Sequence, residues 1–171
     1  RTGKPGDVLI LTKPLGVGIY SAALKQGRLD DAGYRAMIAS TTQLNTFGRD
    51  LGQHPGVHAL TDVTGFGLLG HALEMARGAG LTVEITASSP LLPGVEDLAR
   101  NGVRTGASTR NWDSYGESVV LPAAIEPWRI DLLTDPQTSG GLLIAAAPAS
   151  ADDIIAKAHA AFPAAAIVGR L

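Results

Sequence analysis

The sequence predicts an α/β or α+β domain, with a mixed β-sheet of about five to seven strands flanked by helices. Three observations predict it. Apolar runs of strand length alternate with stretches whose apolar residues recur every three or four positions. Glycines punctuate the joints, 21 of them among 171 residues, so tight turns and close backbone approaches are expected. No internal repeat, low-complexity tract or linker divides the chain, and its length suits one core.

Each element has its own signal. Asp7 to Thr12 follows a Pro-Gly pair, is rich in β-favouring residues and reads as a buried strand, ended by Lys13-Pro14. Leu15 to Gln26 fits a helix with Gly27 as its C-terminal cap. Asp30 or Asp31 then caps a longer helix whose apolar face carries Tyr34, Met37, Ile38, Leu44 and Phe47, stopping near Leu51-Gly52. Val57 to Thr61 is a second strand, and Gly67 to Arg77 a helix ended by Gly78 and Gly80. Leu81 to Thr86 alternates apolar and polar residues, as a half-buried strand does. Val95 to Asn101 fits a short helix. Residues 102–128 hold both tryptophans among Gly, Ser, Thr, Asn and Pro, and read as a long loop of the kind that carries function. Strands are expected at Arg129 to Thr134, Leu142 to Ala147 and Ala166 to Val168, with a helix from Ala151 to Phe162.

Composition narrows the function. A formal net charge of −2 gives no broad basic field for nucleic acid or an anionic membrane, so neither is expected as a partner. No apolar run approaches the roughly 20 residues that span a bilayer. With no cysteine, disulfides, thiolate metal sites and a cysteine nucleophile are absent from these residues, which suits a cytoplasmic protein. His54, His58, His71 and His159 show no metal-ligand spacing.

The stretch Thr61 to His71, TDVTGFGLLGH, is the most informative. Gly65, Gly67 and Gly70 are spaced as GxGxxG after a strand and before a helix, with Glu84 19 residues beyond Gly65. A dinucleotide site is the weaker reading. Asp62 stands before the glycines and would repel pyrophosphate, and Glu84 falls on the polar face of an alternating strand. A hard dication such as Mg²⁺ resolves the conflict, because it takes carboxylate and phosphate oxygens together. Asp62 would then be a metal ligand, with Thr64, Gly65 and Gly67 facing phosphate near a helix N-terminus. The plainer alternative is that Asp62 or Thr64 caps the helix while the glycines allow tight packing.

Other polar connections point the same way. Asp135-Pro136 turns the chain ahead of Thr138, Ser139, Gly140 and Gly141, a segment that can form an anion nest or an ordinary turn. Lys13 sits between a strand and a helix, able to reach an anion or to remain solvated. Arg110 and Asn111 either contact a ligand or organise their loop. Three such connections follow three predicted strands, as a phosphate site at the ends of one sheet would require.

LTKPLGVG at 11–18, TDVTGFGLLGH at 61–71, TRN at 109–111 and DPQTSGGLL at 135–143 together resemble the C-terminal half of selenophosphate synthetase (selenide, water dikinase), in order and spacing and over essentially the whole chain. The resemblance implies a fold like the C-terminal domain of aminoimidazole ribonucleotide synthetase. It implies an enzyme that converts ATP, selenide and water to selenophosphate, AMP and phosphate with Mg²⁺. It casts Asp62 as the magnesium ligand. Beside that, Ser139, Gly140 and Gly141 are expected to contact an anion or shape the cleft, and Lys13 to neighbour a phosphate. Residues 1–171 would be the C-terminal domain of a two-domain enzyme that dimerises through an N-terminal ATP-binding domain. That domain would hold the catalytic Cys or selenocysteine, so no catalytic residue lies in this chain and alone it should be inactive. Val17 stands where many members carry threonine, removing a hydroxyl. The alternatives are another enzyme of the superfamily (aminoimidazole ribonucleotide synthetase, thiamine-monophosphate kinase or a hydrogenase-maturation protein) or a free-standing phosphate-ligand module.

Overall fold

A computed structural model describes residues 2–86 and 88–171. Five strands form one sheet: β1 (Val8–Leu11), β2 (Val57–Asp62), β3 (Glu84–Ile85), β4 (Leu142–Ala146) and β5 (Ala166–Arg170). The spatial order is β2-β4-β1-β5-β3. The α/β expectation holds, but every strand pair is antiparallel where a mixed sheet was expected. The parallel bridge Leu15–Leu91 lies outside the sheet. β1 and β2 both pair antiparallel with β4, which lies between them, so they point the same way without touching. Their C-terminal ends and the N-terminal end of β4 therefore share one rim, where Leu11 faces Leu143 and Asp62 faces Leu142.

Eight helices surround the sheet among the described residues: α1 (Val17–Lys25), α2 (Asp31–Thr42), α3 (Phe47–Leu51), α4 (Gly67–Ala79), α5 (Val95–Arg100), α6 (Gly106–Tyr115), α7 (Pro127–Leu133) and α8 (Pro148–His159). Alternation in β1 sends Leu9 and Leu11 to one face, where they meet Leu143, Val168 and Leu68 and Ala72 of α4. Ile10 goes to the other face with Ile144, Leu51 of α3 and Ile154 of α8. β4 is buried throughout, as LLIAA in an interior strand of a sheet covered on both faces must be. Each fully buried Leu or Ile contributes about 1.5–3 kcal/mol. A third cluster joins Val17, Ile19 and Tyr20 of α1 to Met37, Val95, Trp128 and Leu132. No helix among the described residues is long and apolar enough to cross a membrane.

Three expectations need correction. Residues 129–134 are not a strand: 129–133 belong to α7, which starts with Pro127 in its first turn and buries Trp128, Leu132 and Leu133 at helical spacing, and Thr134 caps its C-terminus. A short apolar run does not declare its period. Residues 102–128 are not one loop. They carry α6, capped by Thr105 accepting from the Ser108 amide, and then a single 3-10 turn at Gly116–Ser118. The buried face of α6 is Ser108, Asn111 and Tyr115, so its periodicity is polar and gave no apolar signal. The long helix from Asp31 divides, because Gln43 turns extended at the end of α2. Of its expected apolar face, Met37 is buried and Tyr34, Ile38 and Leu44 are exposed.

Candidate functional site

Three connections meet at the shared rim: Thr12–Gly16 after β1, Val63–Phe66 after β2, and Thr134–Gly141 between α7 and β4. Their backbones interlock. The Thr12 amide donates to the Leu142 carbonyl at 3.0 Å, and the Leu142 amide returns a bond to Thr12 Oγ1 at 2.8 Å. The Val63 amide donates to the Gly141 carbonyl at 2.8 Å, and the Gln137 amide to the Thr64 carbonyl at 2.9 Å. Gly140 and Gly141 make this approach possible. A Cβ on Gly140 would meet the Val63 carbonyl oxygen, and one on Gly141 the Lys13 amide nitrogen, both inside van der Waals contact. Gly67 opens α4 with φ 71°, and a Cβ there would sit 2.6 Å from the Thr134 carbonyl carbon.

The glycine loop after β2 is held by carbonyls. Asn111 Nδ2 donates to the Gly65 carbonyl at 2.8 Å and the Thr134 carbonyl at 2.9 Å. Tyr115 donates its hydroxyl to the Phe66 carbonyl at 2.6 Å, and burial pushes its pKa up to about 12. Asn111 thus organises the loop, while Arg110 is exposed. Gly65 has open space around it. Asp62 is exposed at the end of β2, and no hydrogen bond or ion pair engages its carboxylate among the described residues.

Lys13 is buried, 2% exposed. Its Nζ donates to the carbonyls of Ser40 (3.0 Å), Gln43 (2.6 Å) and Ser139 (2.7 Å), which cluster at the C-terminal end of α2 and in the Ser139 turn. Carbonyls at a helix C-terminus favour a cation. Burial pushes the ammonium below the ordinary lysine range. Asn45 adds a bond from Nδ2 to the Gly140 carbonyl at 2.8 Å. Ser139 is exposed and sits at φ 50°, a left-handed conformation rare outside glycine, which the Lys13 bond to its carbonyl pins.

Sequence reasoning missed Asp135 and Gln137 as site residues. Gln137 Oε1 accepts from the amides of Gly16 and Val17, both at 3.2 Å. Asp135 Oδ2 accepts from Gly18 at 3.0 Å and Ile19 at 3.2 Å. All four free amides at the start of α1 are therefore satisfied by side chains from the DPQTSGG segment. Gln137 Nε2 also donates to Asp135 Oδ2 at 2.9 Å. Burial pushes the Asp135 pKa up to about 7, against the lowering effect of its bonds from Ile19, Gln137 and Gly18. That helix terminus is closed by the protein's own carboxylate. The only signal for this was a carboxylate and a carboxamide two residues apart before a glycine pair; their partners lie more than a hundred residues away.

His71, buried on α4, places Nε2 3.2 Å from Thr64 Oγ1. Glu84, the candidate ribose ligand of a dinucleotide site, pairs instead with Arg170 across the strand edge at 2.7 Å. His58 pairs with Asp7 at 2.8 Å. A cavity of about 440 Å³ between β2 and α4, lined by Thr61, His71, Glu74 and Met75 among others, lies beside the rim; Asp62 and Ser139 do not line it.

Residues 4–171 match the family model for the AIR synthase related protein, C-terminal domain. Selenide, water dikinase of Paraburkholderia xenovorans is 58% identical over 168 residues, 97% of this chain and 48% of the relative. That of Pseudomonas straminea is 58% identical over 170 residues, 98% and 48% respectively. The chain thus spans about half the length of the curated relatives it matches. Among solved structures, Escherichia coli HypE aligns with TM-score 0.69 at 22% identity, over 97% of this chain and 44% of HypE. Thiamine-monophosphate kinase of Stenotrophomonas maltophilia aligns with TM-score 0.63 at 17% identity, over 99% and 48%. Those two likenesses bear on the fold alone. The chain belongs to the AIR synthase related family, as a C-terminal domain of that type, and its close sequence relatives there are selenide, water dikinases.

Proposed function

We propose that this chain is the C-terminal domain of a selenide, water dikinase, which makes selenophosphate, AMP and phosphate from selenide, ATP and water in the cytoplasm. The relatives' names and their identity along nearly the whole chain support the reading. In it, an N-terminal domain binds ATP, carries the nucleophile and dimerises. This domain closes the nucleotide site with its rim of three interlocked connections.

The observation that carries the mechanism is Asp62. An exposed carboxylate with no hydrogen-bond or ion-pair partner among the described residues stands at the end of a strand whose following loop is fixed from behind. Its donor chemistry fits Mg²⁺, a hard ion that prefers oxygen. Among the described residues no group of three or more His, Asp or Glu could hold a metal. Asp62 would therefore supply one ligand, and nucleotide phosphates and the other domain the rest. When bound, the ion neutralises charge on the transferring phosphate. Thr64, Gly65 and Gly67 shape the wall next to it. Ser139, Gly140 and Gly141 shape the stretch of wall packed beside it, and Lys13 acts on the nucleotide site indirectly, by holding the Ser139 turn.

Phosphoryl transfer gains mainly from positioning and charge stabilisation, so a wall already fixed by hydrogen bonds suits it. The test is a Mg²⁺ titration of the full-length enzyme with ATP and selenide, comparing wild type with Asp62→Asn. A tenfold or larger rise in the Mg²⁺ needed for half-maximal AMP formation is expected. An unchanged requirement would remove Asp62 from the metal site. AMP formation that does not depend on selenide would point instead to another activity of this superfamily.

A further inference from the structure

β2 is an edge strand: β4 takes one of its sides, and none of the described strands takes the other. The register fixes which backbone groups are left over. The Val63 amide donates to the Gly141 carbonyl, and hydrogen-bonded pairs in an antiparallel ladder recur at every second residue. Ala59 and Thr61 therefore turn their backbone groups to β4, opposite Ala145 and Leu143, while Leu60 and Asp62 turn theirs outward. Among the described residues no hydrogen bond engages the amide or carbonyl of Leu60 or the amide of Asp62. The Asp62 carbonyl meets the Thr61 hydroxyl at 3.4 Å.

Sheets guard such edges with lysine, proline or a very short strand. The opposite edge, β3, is two residues long. β2 is six residues long with neither lysine nor proline, and Leu60 is 37% exposed. Its bulge lies at the far end, between Val57 and Ala59. Two grooves flank the edge. The cavity of about 440 Å³ on the α4 side is walled by Ala59, Thr61 and Met75 among others, and Gly78 leaves space in it. A smaller cavity of about 180 Å³ on the α3 side is walled by Leu51, Val57 and Leu60 among others. The two adjoin along Ala59 and Leu60, which line both. Side chains of a strand alternate between faces, so one added strand would send them into the two grooves in turn.

Thr2 and Gly3 identify the occupant. Both line the larger groove. The chain runs between them and β1 across β4, where a Cβ on Gly3 would sit 3.8 Å from that of Ala145, the residue opposite Ala59. Polypeptide ahead of Thr2 therefore starts beside the open edge, at an effective concentration on the order of millimolar, whereas a second copy or another protein arrives by diffusion. The relatives have the length for it, since this chain matches 48% of theirs.

We propose that the open edge of β2 is completed by an extended segment of the same polypeptide, from the half that precedes Thr2, which joins the sheet as a sixth strand and seats its side chains in both grooves. The proposal rests on the reading that an N-terminal domain precedes this one. Because Asp62 ends β2, a strand added there ties its carboxylate to that domain.

Amide hydrogen exchange tests this by comparing the full-length enzyme with the 171-residue chain. Exchange at Leu60 and Asp62 should be at least about 100-fold slower in the full-length enzyme, with the inward amides of Ala59 and Thr61 protected in both. Equal rates in the two proteins would overturn the proposal. So would protection in the 171-residue chain that rises with its concentration, the mark of a second copy. Leu60→Pro removes only an outward amide and spares the bonds to β4. In the full-length enzyme it should return Asp62 to the fast rate and raise the Mg²⁺ requirement several-fold. Gly78→Trp, which plugs the larger groove from α4 and leaves the ladder alone, should do the same at both Leu60 and Asp62, and it carries the test if the proline variant does not fold. Slow exchange at Asp62 in the folded variants would overturn the strand addition. Selenide-dependent AMP formation by a full-length enzyme whose edge amides exchange fast sinks this inference alone. AMP formation that ignores selenide sinks the reading of the activity, and the exchange comparison still decides whether the strand is added.

Discussion

At the scale of single residues, the site rests on groups that face inward. Asp135 is the sharpest case. Its folded pKa, about 7, lies above the ordinary aspartate value of 3.8 because burial disfavours the charged form. The folded state therefore holds a proton that the unfolded chain releases, so this group's contribution to stability is present below about pH 4 and is lost as pH rises through 7. Between those limits it tilts stability downward by at most about 1.4 kcal/mol per pH unit. Asp135→Asn should flatten that tilt, seen as a smaller change in thermal midpoint between pH 4 and 7 than wild type shows; an identical profile would refute the assignment. Lys13→Met should cost about 3 kcal/mol in urea denaturation, since three carbonyls lose a charged donor. A loss below about 1 kcal/mol would show that the clamp contributes little. Asp62→Asn should leave the same denaturation curve unchanged, because no hydrogen bond or ion pair engages that carboxylate among the described residues.

At the scale of elements, two glycines of α4 separate conformational need from helix propensity. Gly67 combines positive φ with the Thr134 backbone at close range, so Gly67→Ala should destabilise by about 3 kcal/mol or more. Gly78 sits within the same helix with open space around it, and Gly78→Ala should stabilise by up to about 1 kcal/mol. Equal effects from the two would mean that the loop backbone adapts freely. The glycines of the 61–71 stretch were legible as special in the sequence. That Gly67 serves the approach to Thr134 was not, because its neighbour comes from the end of a helix that reads as a strand. α6 was illegible for a related reason: its buried face is hydrogen-bonded rather than apolar, and apolar periodicity is blind to it.

At the scale of the whole molecule, antiparallel pairing on β4 brings three distant connections to one rim. The sequence predicted three strands each followed by a polar connection. In the fold the third connection precedes a strand instead, and reversal of β4 puts it at the same edge. One carboxylate at that edge does not make a complete metal site. The 171-residue chain alone should therefore give no ATP-to-AMP turnover with selenide and Mg²⁺; AMP accumulating above the uncatalysed rate would refute this.

What the sequence determined by itself was local: the positions of five strands, beside a sixth that proved helical, the glycine stretches, the lone acidic residue ahead of them, and the family likeness those strings carry. Such features depend on neighbours a few residues apart, which a linear pattern records. The tertiary structure alone decided the strand directions, the closing of α1 by Asp135 and Gln137, the burial of Lys13 and the contact of His71 with Thr64. Three of these join residues that are far apart in the chain. Even the fourth, spanning a loop and about one helical turn, depends on how the glycine stretch bends. A polar side chain looks the same in sequence whether it meets water, a ligand or a distant backbone, and only folding chooses among them.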